Sequence, residues 1–257
     1  MIHLLSSDIY KLVKRKSPYI FLSILFGLAM LGAAIVFFAK MVATETYDIS
    51  YTVSDQFPSF LFPALSNLFI AIFSALYISS EFSYGTMKNI TSRGYSRVAV
   101  YFSKYICVVL FSLVMFVANV LFSTMMNGIL FGFGTFSSAM IQDILLLSFL
   151  SILINCAVCA VYTFFSFVLA NVGSALAINI VINTLMGMVL SLIDIGLYIA
   201  KIEGTVSRYW INSLPNYLLT YSPADKDVRI TLIAAPIYLV VFLVCGFVIF
   251  EKRDIKA

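Results

Sequence analysis

The sequence predicts an all-α integral membrane protein, with six transmembrane helices, an interfacial helix ahead of the first and a short cytoplasmic helix between the second and third. Three observations predict it. Of 257 residues, 62% are hydrophobic and 11% charged, and the mean hydropathy is +1.03. A soluble domain of that size needs a polar surface that this composition does not supply. Six apolar runs are each long enough to cross a bilayer, which takes about 20 helical residues. The basic residues gather in the segments that alternate spans leave on one side. No polar stretch is long enough to bury a core of its own, so residues 1–257 read as a single transmembrane unit.

Residues 2–16 set Leu4, Leu5, Ile9, Leu12 and Val13 against Ser6, Asp8, Lys11, Lys14, Arg15 and Lys16. At helical spacing this makes one apolar and one polar face, suited to lie in the membrane interface. The apolar run behind it is about twice the length of a signal-peptide core and lacks a clear cleavage site, so it reads as an uncleaved anchor. The six spans fall near 19–42, 59–80, 98–124, 144–170, 173–199 and 230–250. The fourth and fifth are nearly continuous and are divided at Asn171-Val172-Gly173, a credible tight turn.

The outer connections are short. Residues 43–58, with Glu45, Asp48 and Asp55, read as solvated. Residues 125–142 mix Gly128, Gly132 and Gly134 with Phe131, Phe133 and Phe136, and either dip into the interface or cap the bundle. Residues 200–229 carry the only tryptophan, Trp210, and then Leu214-Pro215-Asn216-Tyr217-Leu218-Leu219, a mixture that suits an interfacial or re-entrant helix.

Charge sets the orientation. With the N-terminus inside, the inner segments hold Lys11, Lys14, Arg15, Lys16, Lys88, Arg93, Arg97, Lys104, Lys252, Arg253 and Lys256. The outer ones hold Lys40, Lys201, Arg208, Lys226 and Arg229, a count of 11 against 5. Both termini are therefore expected in the cytoplasm. Basic residues placed at membrane edges argue against nucleic acid as a partner.

The connection between spans two and three, residues 81–97, is a polar island with its own charge pattern. Glu81 ends the apolar run, and Lys88, Arg93 and Arg97 follow with no further acid. Phe82, Met87 and Ile90 can anchor a short helix along the membrane surface. Thr91-Ser92-Arg93-Gly94 reads as a turn in which Gly94 is free to take a positive φ, and Ser96 is placed to cap the next helix.

These residues resemble the corresponding loop of ABC-type exporter permeases, in the bacitracin and lantibiotic immunity group. The shared pattern is Glu81, then Gly85-Thr86-Met87-Lys88-Asn89, then Gly94-Tyr95-Ser96-Arg97; the Phe250-x-Lys252-Arg253-Asp254 ending is similar too. The resemblance implies a coupling helix that docks on a separate cytoplasmic ATPase. Phe82, Tyr84 and Met87 would supply apolar contacts and Glu81, Lys88, Arg93 and Arg97 charge complementarity and loop position, with Gly85 and Thr86 of the shared pattern also among the coupling residues. It also implies a pair of permeases, identical or homologous, on two ATPase copies in a bacterial plasma membrane. ATP and Mg would sit on the ATPase, with no cofactor on this chain. The implied substrate is an amphipathic peptide such as a lantibiotic or other bacteriocin, expelled for immunity or resistance.

Within the spans, two polar series keep helical spacing: Ser148, Ser151, Asn155, Cys159, Tyr162 and Ser166 in the fourth, and Asn179, Asn183, Gly187, Ser191 and Asp194 in the fifth. Such faces avoid lipid, and serve either as bonds between helices or as the lining of a translocation path through Asn155, Asn179, Asn183 and Asp194. Asp194 either binds a cation or proton or is hydrated at the outer interface. Cys107, Cys156, Cys159 and Cys245 all lie in apolar runs and read as packing residues, and His3 has no metal partners in view. The sequence holds no Gly-x-x-x-x-Gly-Lys-[Ser/Thr] and no His-Glu-x-x-His, so any energy the chain uses is expected from a partner or an ion gradient. Two other classes stay open on sequence alone: an ion-coupled transporter, which would need Asp194, and a membrane sensor or scaffold holding a cytoplasmic partner on the same basic loop.

Overall fold

A computed structural model describes residues 2–43, 52–62, 64–201 and 204–252. Among these residues the regular structure is helical throughout, with no strand, and six helical stretches are long and apolar enough to cross a membrane. Helix α1 (Ile2–Lys14) is the amphipathic leader and α2 (Ser17–Ala43) the first span. The second span is built in pieces: α3 (Val53–Phe60), α4 (Ala64–Ser74), a single π-helical turn (Ala75–Ser79) and α5 (Ser80–Ser83). After the short α6 (Thr86–Ser92) come α7 (Arg97–Phe131), α8 (Ser138–Leu169), α9 (Val172–Ile199) and α10 (Asp225–Lys252).

Local chemistry sets the ends. Ser96 accepts a hydrogen bond from Ala99 N, Ser137 from Met140 N and Asn171 from Gly173 N, each satisfying a free amide of a first helical turn. The reversal expected at 171–173 falls at Ala170, whose φ of +50° is left-handed, and Asn171; Gly173 already belongs to α9. The break in the second span falls at Leu61 and Phe62, just ahead of Pro63, since proline disfavours helical backbone in the residue before it. The carbonyls freed there are recovered by side chains. Asn119 Nδ2 donates to Phe60 O at 2.8 Å and the Ser151 hydroxyl to Leu61 O at 2.6 Å.

Three expectations change. The second span is not one run over 59–80 but begins at Val53 with the short α3, which ends at Phe60 before the break. The outer segment 125–142 shrinks to a connection at 132–137, because α7 and α8 extend beyond the apolar windows that sequence reading measured; Gly132 and Gly134 turn it with φ of +82° and +69°. Val53 N and Ser54 N then bond to the carbonyls of Gly132 and Phe133, tying the connection to α3. Residues 200–229 hold two short 3-10 turns, Ser207–Tyr209 and Leu214–Tyr217, instead of an interfacial helix, and Ile211, Leu214 and Leu218 pack into the core. Residues 44–51, with Glu45 and Asp48, and the ending at Arg253 and Asp254 lie outside the described residues.

The core is centred on α8, which touches α4, α7, α9 and α10. Its closest union is with α10, through Phe164 and Phe165 on Phe242 and Phe167 on Phe250. Gly246 on α10 admits the Tyr101 ring: a Cβ there would stand within 2.1 Å of the tyrosine oxygen. Helices α2 and α9 are the least enclosed, each with long apolar faces turned outward.

Candidate functional site

The 81–97 segment is folded into a compact elbow. Gly85 takes φ +69° to turn the chain out of α5, and the Thr86 hydroxyl bonds back to Glu81 O at 3.0 Å. The chain then makes two turns of α6, which the Thr91 and Ser92 hydroxyls close by bonding to carbonyls one turn back. The expected turn at 91–94 tightens to Arg93-Gly94, where Gly94 takes φ +81°.

Beneath the elbow lies a buried ionic cluster. The Lys104 ammonium, on α7, is 2.8 Å from Asp8 Oδ1 and 2.8 Å from Glu81 Oε1, and its side chain is fully enclosed. The Ser103 hydroxyl donates to Asp8 Oδ2 at 2.7 Å, and the Tyr77 ring lies 4.9 Å from the ammonium. Lys11 closes the cluster from the rim, 3.9 Å from Asp8 and 3.7 Å from Glu81. Arg15 stands over the same ring, 5.3 Å from its centre. Two carboxylates are thus balanced by two ammonium groups, and α1, α5 and α7 are joined at one point. Removing one member of such a cluster leaves an uncompensated buried charge, at a cost of roughly 3–5 kcal/mol.

The elbow is braced on two further helices. Phe82 stands edge-on to Phe167 and Phe250, with ring centres 5.7 and 6.1 Å apart. The Arg97 guanidinium donates to Phe250 O and Glu251 O at 3.2 and 2.6 Å, binding carbonyls in the last described turn of α10. The Ser79 hydroxyl donates to Ser166 O on α8 at 3.0 Å.

This geometry sorts the residues that sequence reading assigned to a partner surface. Glu81 is buried and neutralises Lys104, Phe82 and Met87 pack into the core, and Arg97 caps α10. These four therefore have contacts within their own bundle, as a helix of two turns needs its few apolar and charged anchors to hold it there. The outward face carries Tyr84 (80% exposed), Gly85, Lys88, Asn89 and Arg93. Asp8, Tyr77, Ser103 and Lys104 were missed as site residues. The available signal was Lys104 itself, two helical turns inside an apolar run with no acid near it in sequence, a placement that demands a partner from another element.

Residues 4–202, from α1 to just past α9, match the family described as ABC-2 family transporter protein. The chain belongs to that family. It is a multi-pass membrane permease of an ABC transporter. This ABC-2 permease is also similar to the uncharacterized protein YhcI of Bacillus subtilis (strain 168), 29% identical over 230 residues that cover 81% of this chain and 71% of that one.

Several polar residues inside the ABC-2 bundle make hydrogen bonds between its elements. Asn179 is fully buried, and its Nδ2 donates to Ala71 O at 3.1 Å, Ser74 Oγ at 3.1 Å and Ser166 Oγ at 3.2 Å, linking α4, α8 and α9. Asn183 accepts from the Tyr162 hydroxyl at 2.8 Å, and Asn212 donates to the same hydroxyl at 3.3 Å. Asn155 is buried on the inner face of α8. Asp194 lies at the far end of α9, where its carboxylate accepts from Val206 N and Ser207 N and holds the 3-10 turn that follows. Asn179, Asn183 and Asp194 therefore each have a bonding role within the fold, at three separate levels of α9.

Proposed function

We propose that this permease is the transmembrane subunit of an ATP-driven exporter in a bacterial plasma membrane, with both termini cytoplasmic. It pairs with a second copy or a homologous permease and carries two copies of a cytoplasmic ATPase. ATP and Mg bind that partner. The observation that carries this reading is the elbow: a short helix with a polar outer face, Tyr84, Lys88, Asn89 and Arg93, backed by an ionic cluster and an aromatic brace. A segment built only to connect two spans has no use for ties to α1, α7, α8 and α10. In a transmission element, those ties carry a push on α6 to four helices at once.

Closing of the ATPase pair on nucleotide moves α6, and the bundle responds as packed bodies that exchange two arrangements. Asp8, Lys104 and Glu81 keep α1 in step with the second and third spans. The cargo class that fits the sequence resemblance is an amphipathic peptide of the lantibiotic or bacteriocin kind, expelled for immunity or resistance. Inside-out vesicles holding the permease with its ATPase test this reading. ATP-dependent accumulation of a fluorescent cationic amphipathic peptide, abolished by orthovanadate, supports it; accumulation driven by an imposed ion gradient without ATP contradicts it.

A further inference from the structure

Between the first and third spans the permease holds a pocket of about 390 Å³, within the range of small-molecule sites. Its two long walls differ in chemistry. Helix α2 supplies an apolar wall that includes Leu25, Gly32 and Ala33, whereas α7 supplies Asn119, Ser123 and Asn127. Those three are spaced four apart and share one face. Leu65 of α4, half exposed, and the exposed Gly32 stand at the edge, so the pocket opens sideways toward lipid.

The pocket adjoins the break in the second span. Phe60, whose carbonyl the break frees and Asn119 recovers, forms one boundary. Irregular backbone at membrane depth is tolerated where protein or a cavity satisfies it, and broken helices of this kind flank binding sites in transporters. Asn127 is 6% exposed, and its Nδ2 donates to Ser123 O at 2.8 Å. Its Oδ1 has no hydrogen-bond partner among the described residues. A buried acceptor left unpaired is costly and calls for a donor.

The ring pairs Phe26–Phe122 and Phe37–Phe131 show that α2 and α7 run in parallel. Leu25 to Val36 therefore line the half of the bundle remote from the elbow, over a length of about 16 Å. Asn127 lies toward the outer end of that length and Asn119 toward its depth.

We propose that this pocket binds one amphiphile from the bilayer, its apolar chain along α2 and a hydrogen-bond donor of its head, ammonium, hydroxyl or amide N–H, on Asn127 Oδ1. The occupant is either a resident phospholipid or a single-chain amphiphile on its way through the permease, and the chemistry of recognition is shared. The inference does not depend on ATPase coupling.

Photolabelling of the full permease in phosphatidylglycerol vesicles tests it, with two probes used separately: dodecylamine with a diazirine in its chain, and phosphatidylglycerol with the same group. Leu121, Met125 and Ile129 on the exposed face of α7 report ordinary lipid contact at the same depth. The expected result is label on Asn119, Ser123 and Asn127 that excess unlabelled dodecylamine or lysophosphatidylglycerol displaces, while label on the exposed face is not displaced. Displacement of the dodecylamine probe identifies a single-chain occupant, and retention of the phospholipid probe against dodecylamine identifies a lipid. Gly32→Phe fills the pocket, since a Cβ there meets nothing within 4 Å, and removes the inner label. Asn127→Leu weakens dodecylamine competition by about fivefold, the value of one hydrogen bond. Label confined to Leu121, Met125 and Ile129, or inner label that neither competitor nor Gly32→Phe alters, overturns the proposal.

Discussion

Lys104, inside the third span, donates to Glu81 at the end of the second across 2.8 Å, in a site closed to solvent. Asp8 of the amphipathic leader binds the same ammonium at the same distance. The leader is therefore part of the bundle and not a passive float on the membrane, because its one acidic residue completes the charge balance of the elbow.

Lys104→Met leaves Asp8 and Glu81 facing each other without a counter-charge. It should destabilise the permease by roughly 3–5 kcal/mol, read as a lowered midpoint of thermal unfolding in detergent. Adding Asp8→Asn and Glu81→Gln removes the stranded charges, and the triple variant should recover most of the loss. A single variant as stable as the wild type would show that the cluster is not formed.

Arg97 and Arg93 are four residues apart yet have different tasks. Arg97→Ala removes the cover from the carbonyls of Phe250 and Glu251 and should cost about 1–2 kcal/mol of stability. Arg93→Ala, at an exposed turn, should change stability by less than about 0.5 kcal/mol. Parallel melting curves of the two variants make the comparison.

Gly246→Ala drives a methyl group into the Tyr101 ring, which is wedged between α7 and α10. Overpacking of this kind costs about 1–3 kcal/mol. Tyr101→Leu in the same chain relieves the clash, so the double variant should melt above the single glycine variant.

Asn179→Leu removes the two amide N–H donors that three acceptors on α4 and α8 share. Hydrogen bonds between membrane helices average well under the value of a full bond, so the summed loss should be about 1–2 kcal/mol. Transport by a variant that still folds should survive if Asn179 is only a joint. A loss of transport at unchanged stability would assign it to the substrate route instead.

The parts of this fold that were legible in sequence are those set by local chemistry. Long apolar runs gave the six spans, Asn171 marked the reversal between two nearly continuous ones, and Gly94 and Ser96 marked the start of α7. The break in the second span was also written locally, in Pro63, but its apolar residues hid it from a hydropathy reading. Pairings across distant elements left little trace. Nothing near Lys104 in sequence announces Asp8 or Glu81, and nothing in Arg97 distinguishes a helix cap from a docking charge. The elbow was found, but its inward and outward faces could be told apart only once α8 and α10 were in place to claim Phe82 and Arg97.

The proposed docking of an ATPase on the outer face of the elbow is tested by co-purification from native membranes with the Lys88→Glu, Arg93→Glu double variant. Both side chains are exposed, so the variant should melt like the wild type. An ATPase subunit should accompany the wild type and be lost from this equally stable variant. An ATPase retained in full by the variant, or none bound to the wild type, would contradict it.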